Sequence, residues 1–295
     1  MNLEPTSEKD PSTHSESPSF STVSTVVDCI PDSGPLLIIL DKDGTLDEKV
    51  VNRDSAKVSP ATIHQIMRLQ SLTEVDVVVI SGRSVGELKE LIGTLPVRYY
   101  GLHGAEGGNG DERELFLASD HSVQRKVGQF SESFRLGLRD SSIWTPEIEV
   151  SVCEEKEGKG FAAHWRAHPE IGDIVQGLFI DTWQNFLHSD EFQIQQGDCV
   201  IEVKLPASKG DALLHYLNDK GTSPHATRHI LVVGDDETDL SMMKIAQSST
   251  QSVTPVIIES LHLHIPNALY LPSPKEVLEL LTRVADKRSQ INDCS

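Results

Sequence analysis

Asp41-Lys42-Asp43-Gly44-Thr45 sets two carboxylates two residues apart, followed at once by a glycine. In an extended chain those carboxylates would face opposite ways, but Gly44 permits a turn that lets Asp43 swing over the same site as Asp41. One can then serve as nucleophile and the other as proton donor. Read alone, the same stretch is also a solvated turn at a strand end. Gly234-Asp235-Asp236-Glu237-Thr238-Asp239 adds a second acidic cluster, with only Lys244 as a nearby cation in sequence. Anionic density of that kind costs several kcal/mol unless a hard cation neutralises it, and Mg²⁺ suits carboxylates that share a phosphate ligand and water. Ser81 supplies a hydroxyl beside an expected helix start, where backbone N–H groups and the positive dipole end favour anions, and Lys209 supplies a cation at another. The EF-hand spacing, the Walker lysine loop and GxGxxG are all missing, which argues against a calcium loop and ordinary nucleotide binding.

These groups need a scaffold that brings them to one edge. Leu36-Leu37-Ile38-Ile39-Leu40 is an apolar run of the kind buried on both faces of a parallel sheet, and it ends at Asp41. A helix after Pro60, a strand Val77–Ile80 ending at Ser81, a helix opened by the Ser84/Glu87 capping box, and Tyr99-Tyr100 continue the rhythm. Beyond Asp111 the rhythm breaks into short pieces. It resumes with a helix at Lys209, the strand Ile230–Val233 ending at Gly234-Asp235, and further strand and helix to Val284. The expected fold is therefore α/β, a doubly wound parallel sheet with ligands at the carboxyl ends of its strands, interrupted by an inserted α/β module. The expected divisions are a Ser/Thr-rich tail over 1–34, a core domain over 35–109 and 206–288, and the insert over 110–205.

Lys and Arg number 26 against 45 Asp and Glu among 295 residues, a formal charge of −19. That excess repels nucleic acid and anionic lipid, so neither is expected as a partner. Eleven Ser or Thr and three Pro among residues 1–30 read as disorder. The four cysteines have no CxxC spacing, which suits a reduced, cytoplasmic protein.

DKDGT, Ser81, Lys209 and GDDETD, in that order, resemble the four motifs of haloacid-dehalogenase-type phosphohydrolases. The resemblance implies that Asp41 attacks phosphorus to form an aspartyl-phosphate, that Asp43 protonates the leaving oxygen and later activates water, and that Ser81 and Lys209 hold phosphoryl oxygens. It also implies Mg²⁺ bound by Asp41, the backbone carbonyl of Asp43, and Asp235, with Asp236 and Asp239 supporting the ion's waters or Lys209. Ser81-Gly82-Arg83-Ser84, His103-Gly104-Ala105-Glu106, Glu157-Gly158-Lys159-Gly160, His164-Trp165-Arg166 and Glu202-Val203-Lys204 extend the likeness, over about Leu36 to Ala285, to trehalose-6-phosphate phosphatases. In that family the insert is a cap that closes over the sugar. By resemblance, residues at Gly82, Arg83, His103, Glu157, Lys159, Arg166 and Glu202 bind substrate, and a trehalose-6-phosphate synthase is an implied partner. Phosphatases of sucrose-, glucosylglycerol- or mannosylglycerate-type phosphates, and a non-catalytic regulatory subunit, remain as alternatives. Lys42 and Leu240 depart from the family pattern; Lys42 either deepens the phosphate site or points to solvent.

Overall fold

The computed structural model describes residues 19–50, 56–93, 95–109, 114–115, 121–156, 158–186, 192–218, 228–249 and 251–292. Strand β1 (Leu36–Leu40) is buried along its whole length. Its side chains alternate between two cores: Leu36, Ile38 and Leu40 join one, Leu37 and Ile39 the other. This is what an unbroken aliphatic run should do at the centre of a sheet covered on both faces. The next strands of that sheet along the chain are β2 (Val75–Ile80), β3 (Arg98–Gly101), β4 (Glu106–Asn109) and β5 (Glu114–Leu115). A second sheet holds β6 (Cys153–Glu155), β7 (Gly160–His164), β8 (Gln193–Gly197) and β9 (Val200–Lys204). Strands β10 (His229–Gly234), β11 (Ser252–Ile258) and β12 (Leu269–Leu271) then return to the first.

Among the described residues the first sheet has the order β12-β11-β10-β1-β2-β3-β4-β5. It is parallel from β12 to β3 and antiparallel at β4 and β5. The doubly wound α/β expectation is therefore met. The second sheet, β6-β7-β9-β8, is antiparallel throughout.

The helices are α1 (Val23–Asp28), α2 (Pro60–Ser71), α3 (Val85–Ile92), α4 (His121–Arg139), α5 (Pro146–Val152), α6 (Gly172–Phe186), α7 (Lys209–Asn218), α8 (Leu240–Ser248) and α9 (Pro274–Asn292). Ser59 and the proline at N1 start α2, and the reciprocal Ser84–Glu87 box starts α3. Helices α2, α3 and α9 cover one face of the large sheet; α7 and α8 cover the other. A third core lies under the small sheet, where Phe130 and Phe134 of α4 meet Phe161 of β7 and Phe179 of α6 at ring separations of 4.9 to 5.9 Å. Such edge contacts add about 0.5–1.5 kcal/mol per pair beyond the area they bury.

One expectation is corrected near the start of the chain. Residues 1–30 read as disorder, yet Val23, Val26, Val27 and Ile30 are buried through α1. Their spacing makes one apolar stripe, which packs against α9. Lys287 donates to the carbonyls of Val27 and Ile30 at 3.1 and 2.6 Å, satisfying the end of the short helix. Residues 1–18 lie outside the described residues.

Candidate active site

The three strands that precede the acidic and hydroxyl groups are neighbours. Leu40 of β1 pairs with Val233 of β10 and with Val79 of β2, so Asp41, Asp235 and Ser81 leave the sheet side by side. Asp41 stays pinned to the edge through its N–H, which donates to the carbonyl of Val233 at 3.0 Å. Gly44 turns the chain with φ of +92°, and a Cβ there would lie 2.5 Å from the Asp235 carboxylate, so the loop can pass this close only without a side chain.

Lys209, the first residue of α7, is buried and donates to Asp41 Oδ1 at 2.7 Å and Asp239 Oδ1 at 2.6 Å. The other oxygen of Asp239 accepts the N–H groups of Asp235 and Asp236 at 2.9 and 3.1 Å. Asp239 is thus fully occupied in fixing Lys209 and the turn. Asp41, Asp235 and Asp239 bring oxygens within 4.8 Å of one another. Burial pushes the carboxyls of all three up to about 7, against the pull of Lys209 on Asp41 and Asp239 and of Lys49 on Asp235. A buried group of this composition fits a hard divalent cation, with Asp41 and Asp235 as the carboxylates that would hold it, Asp235 once Lys49 has left it, and Asp239 as their support. Asp236 instead accepts the N–H and hydroxyl of Thr238 at 2.8 and 2.6 Å. Against burial, the Lys209 charge and the Thr238 bonds hold its carboxyl below the ordinary range.

Asp43 is held by cations of its own. Arg83 grips it with two bonds of 2.7 Å, and Lys42 donates to it at 2.8 Å. Burial would raise its carboxyl, but the two cations hold it well below the ordinary range. Lys42 neither deepens a phosphate site nor reaches solvent: it is fully buried and also donates to Asp47 at 2.8 Å and the Ala56 carbonyl at 3.1 Å.

Ser81 is buried, accepts the Arg83 N–H at 3.2 Å, and keeps its hydroxyl proton free to donate. The amides at the start of α3, offered by the sequence for anion binding, are largely occupied. Ser84 N–H donates to Glu87, Glu87 N–H to Ser84, and Val85 N–H to the buried Glu106. A carboxylate of the protein itself therefore sits where the helix dipole would draw an anion.

The small sheet faces this edge with charged side chains. Lys159 donates to Glu106 at 2.7 Å, and Lys156 bonds both Glu202 and, at 3.4 Å, the Gly82 carbonyl. Glu202 also accepts from His103 Nε2 at 2.8 Å. Burial pushes the His103 imidazole down to about 4 despite Glu202, so the ring is neutral at pH 7. A Cβ on Gly82 would lie 2.6 Å from that imidazole, which is why the position has none. Arg166 bonds the carbonyl and carboxylate of Asp198 at 2.9 and 3.0 Å, on the turn between β8 and β9. Glu157 lies outside the described residues.

Residues 39–264 match the trehalose-phosphatase family model. The chain belongs to the trehalose-phosphatase family. The chain is similar to a probable trehalose-phosphate phosphatase of Sinorhizobium fredii, 26% identical over 70% of this chain and 72% of the relative. A bifunctional trehalose-6-phosphate synthase/phosphatase of Thermoproteus tenax is 30% identical over 74% of this chain and 28% of its own length. The C-terminal domain of the C. albicans trehalose-6-phosphate phosphatase superposes with a TM-score of 0.74 over 92% of this chain and 99% of that one, at 20% identity. This member of the trehalose-phosphatase family thus carries its strand-end carboxylates on the large sheet and brings Lys156, Lys159 and Glu202 of the small sheet and its β6–β7 turn against Gly82, Glu106 and His103.

Several participants escape the motif reading. Lys156 lay in an acidic-basic run that looks like a solvated surface, yet it is buried on Glu202. Glu106 was noted only within its motif, although it joins Lys159 to the start of α3. Lys49, eight residues after Asp41, reaches back to Asp235, and no local pattern marks a contact made across the Gly44 turn.

Proposed function

We propose that this trehalose-phosphatase family member is a Mg²⁺-dependent phosphatase that hydrolyses trehalose 6-phosphate to trehalose and phosphate through an aspartyl-phosphate, the last step of trehalose synthesis. The observation that carries the reading is the buried Asp41–Lys209–Asp239 chain beside Asp235, an anionic pocket with one fixed ammonium at adjacent strand ends. Asp41, Asp235 and the backbone carbonyl of Asp43 would hold Mg²⁺, which supplies positive charge against the phosphoryl oxygens. Asp41 attacks phosphorus, forming the new O–P bond as the bond to the sugar oxygen breaks. Asp43 gives that oxygen its proton, then takes one from water as water attacks the aspartyl-phosphate and releases phosphate. Ser81 and Lys209 donate to the phosphoryl oxygens.

Asp43 enters this cycle ionised between Arg83 and Lys42. An anionic ester drawing Arg83 away would raise the carboxyl's affinity for a proton, and Asp43 would then take one up from solvent before passing it to the leaving sugar oxygen.

The small sheet and its helices, over about 110–205, would act as the cap. Glu202, Lys156 and Lys159 offer the mix of donors and acceptors that a polyol needs, with Gly82, Arg83 and His103 completing the wall. Arg166, held by Asp198 at the rim, would be a neighbour of the sugar. No helix among the described residues is long and apolar enough to cross a membrane. We place the enzyme in the cytoplasm, and the fused relative from Thermoproteus tenax supports association with a synthase.

Initial rates of phosphate release, with and without Mg²⁺, over trehalose 6-phosphate and the phosphates of sucrose, glucosylglycerol and mannosylglycerate test the proposal. Preferred, Mg²⁺-dependent turnover of trehalose 6-phosphate is expected. Equal or faster turnover of another sugar phosphate defeats the substrate assignment, and turnover unaffected by EDTA defeats the metal.

A further inference from the structure

Asp235 is approached by a cation of its own. It is 3% exposed, its Oδ1 accepts the hydroxyl of Thr45 at 3.4 Å, and its Oδ2 is in contact with the ammonium of Lys49. Lys49 belongs to a different part of the molecule from Lys209. Lys209 is buried at the start of α7, clamped between two carboxylates, and cannot leave. The Lys49 side chain is 33% exposed, stands on the loop beyond the Gly44 turn, and among the described residues makes this one ion pair. Its Cε lies 2.7 Å from where a Cβ on Gly44 would stand, so the lysine reaches Asp235 past the glycine.

We propose that Lys49 is a built-in competitor of the divalent cation. Its ammonium and the ion compete for the same Asp235 oxygen, so ion entry requires Lys49 to swing out, and ion departure lets it return. The inference rests on the reading of Asp41 and Asp235 as the divalent site. Two consequences follow from electrostatics. The lysine weakens the apparent affinity for the ion, because every binding event must first break the pair. It also stabilises the ion-free protein selectively, because without either cation Asp235 faces Asp239 and Asp236 uncompensated.

The test compares wild type with Lys49→Met and Lys49→Gln, which keep the stem and remove the charge. Mg²⁺ dissociation constants come from calorimetric titration without substrate, and thermal unfolding is followed in EDTA and in saturating Mg²⁺. Both variants are expected to bind Mg²⁺ about fivefold more tightly or better, which corresponds to about 1 kcal/mol for a partly exposed pair. Their unfolding temperature should drop in EDTA and match wild type in Mg²⁺. Equal or weaker Mg²⁺ binding by both variants overturns the inference. So does an equal loss of stability with and without Mg²⁺, which marks Lys49 as ordinary structure. If neither wild type nor variants bind Mg²⁺, the divalent-site reading falls and this inference with it, an outcome distinct from equal binding by all three.

Discussion

Proton release on Mg²⁺ binding is the sharpest consequence of the carboxylate cluster. Asp41 and Asp235 carry carboxyls pushed up to about 7 by burial, against about 4 for a free aspartate. Each therefore holds a proton at mildly acid pH that a divalent ion must displace. For one such proton the apparent Mg²⁺ affinity should fall about tenfold for each pH unit below 7, so about a hundredfold between pH 7 and pH 5, and more steeply if both are displaced. Calorimetric titrations at pH 5.5, 6.5 and 7.5, each in two buffers of different ionisation enthalpy, count the protons directly. Stability supplies a second reading. A carboxyl that binds its proton more tightly when folded favours the fold at low pH and loses that contribution as pH rises through 7. Below pH 6.5 His103 opposes this trend, because its buried imidazole resists a proton that the unfolded chain accepts. Above 6.5 the unfolded imidazole is neutral too, so ion-free stability should fall between pH 6.5 and 8 by about 1 kcal/mol for each carboxyl and be restored by Mg²⁺. Mg²⁺ affinity that is flat from pH 5.5 to 7.5, with no proton released, would refute the argument.

Asp41→Asn should lower kcat at least about a thousandfold while thermal unfolding stays near wild type, since a neutral isostere replaces a carboxyl that burial already disfavours in its charged form. Lys42→Met should cost about 3 kcal/mol in urea unfolding, because Asp43 and Asp47 lose a fully buried cation that bonds both. A loss below 0.5 kcal/mol on the urea scale ~ the size typical of surface changes ~ would contradict that role. Glu202→Ala should reduce kcat/KM for trehalose 6-phosphate about tenfold or more, yet spare a small aromatic phosphate too short to reach the small sheet. Gly82→Ala should raise KM for the sugar phosphate, as the methyl drives the His103 ring off Glu202; unchanged kinetics would mean that this contact has no part in binding.

The core was legible where the chain repeats simple physics. Five aliphatic residues ending at Asp41 could only be a covered central strand, and the Ser84–Glu87 pair marked the start of α3. What stayed hidden depended on distance in sequence. Helix α4 carries Val123, Val127, Phe130, Phe134 and Leu138 at helical spacing, but an exposed Leu136 and two glycines blur the stripe, and it lies where the strand rhythm had broken. Helix α1 has its stripe diluted by Ser and Thr, and only packing on α9 gives it a buried face. Side-chain pairing was the least legible. A cluster of acids predicts that cations will come, yet nothing local says that Lys209 serves Asp41 and Asp239, Lys49 serves Asp235, and Arg83 and Lys42 serve Asp43.

The pairings across the seam carry a further implication for specificity. Lys156, Lys159 and Glu202, from the small sheet and its β6–β7 turn, are each satisfied by a core group: the Gly82 carbonyl, Glu106 and His103. A sugar that enters here does not meet waiting, unpaired charges; it must replace bonds already made. Binding energy is then the difference between two nearly balanced sets, and a sugar that re-pairs only some of these groups leaves a buried lysine or carboxylate uncompensated, a cost of several kcal/mol. Because Glu106 also holds the first amide of α3, releasing Lys159 alters the charge balance at the helix start that follows Ser81. On the proposed reading, recognition of the distal sugar would be connected through one carboxylate to the strand end where the phosphoryl group would sit. A free phosphate or a short ester at that strand end would leave the Lys159–Glu106 pair untouched.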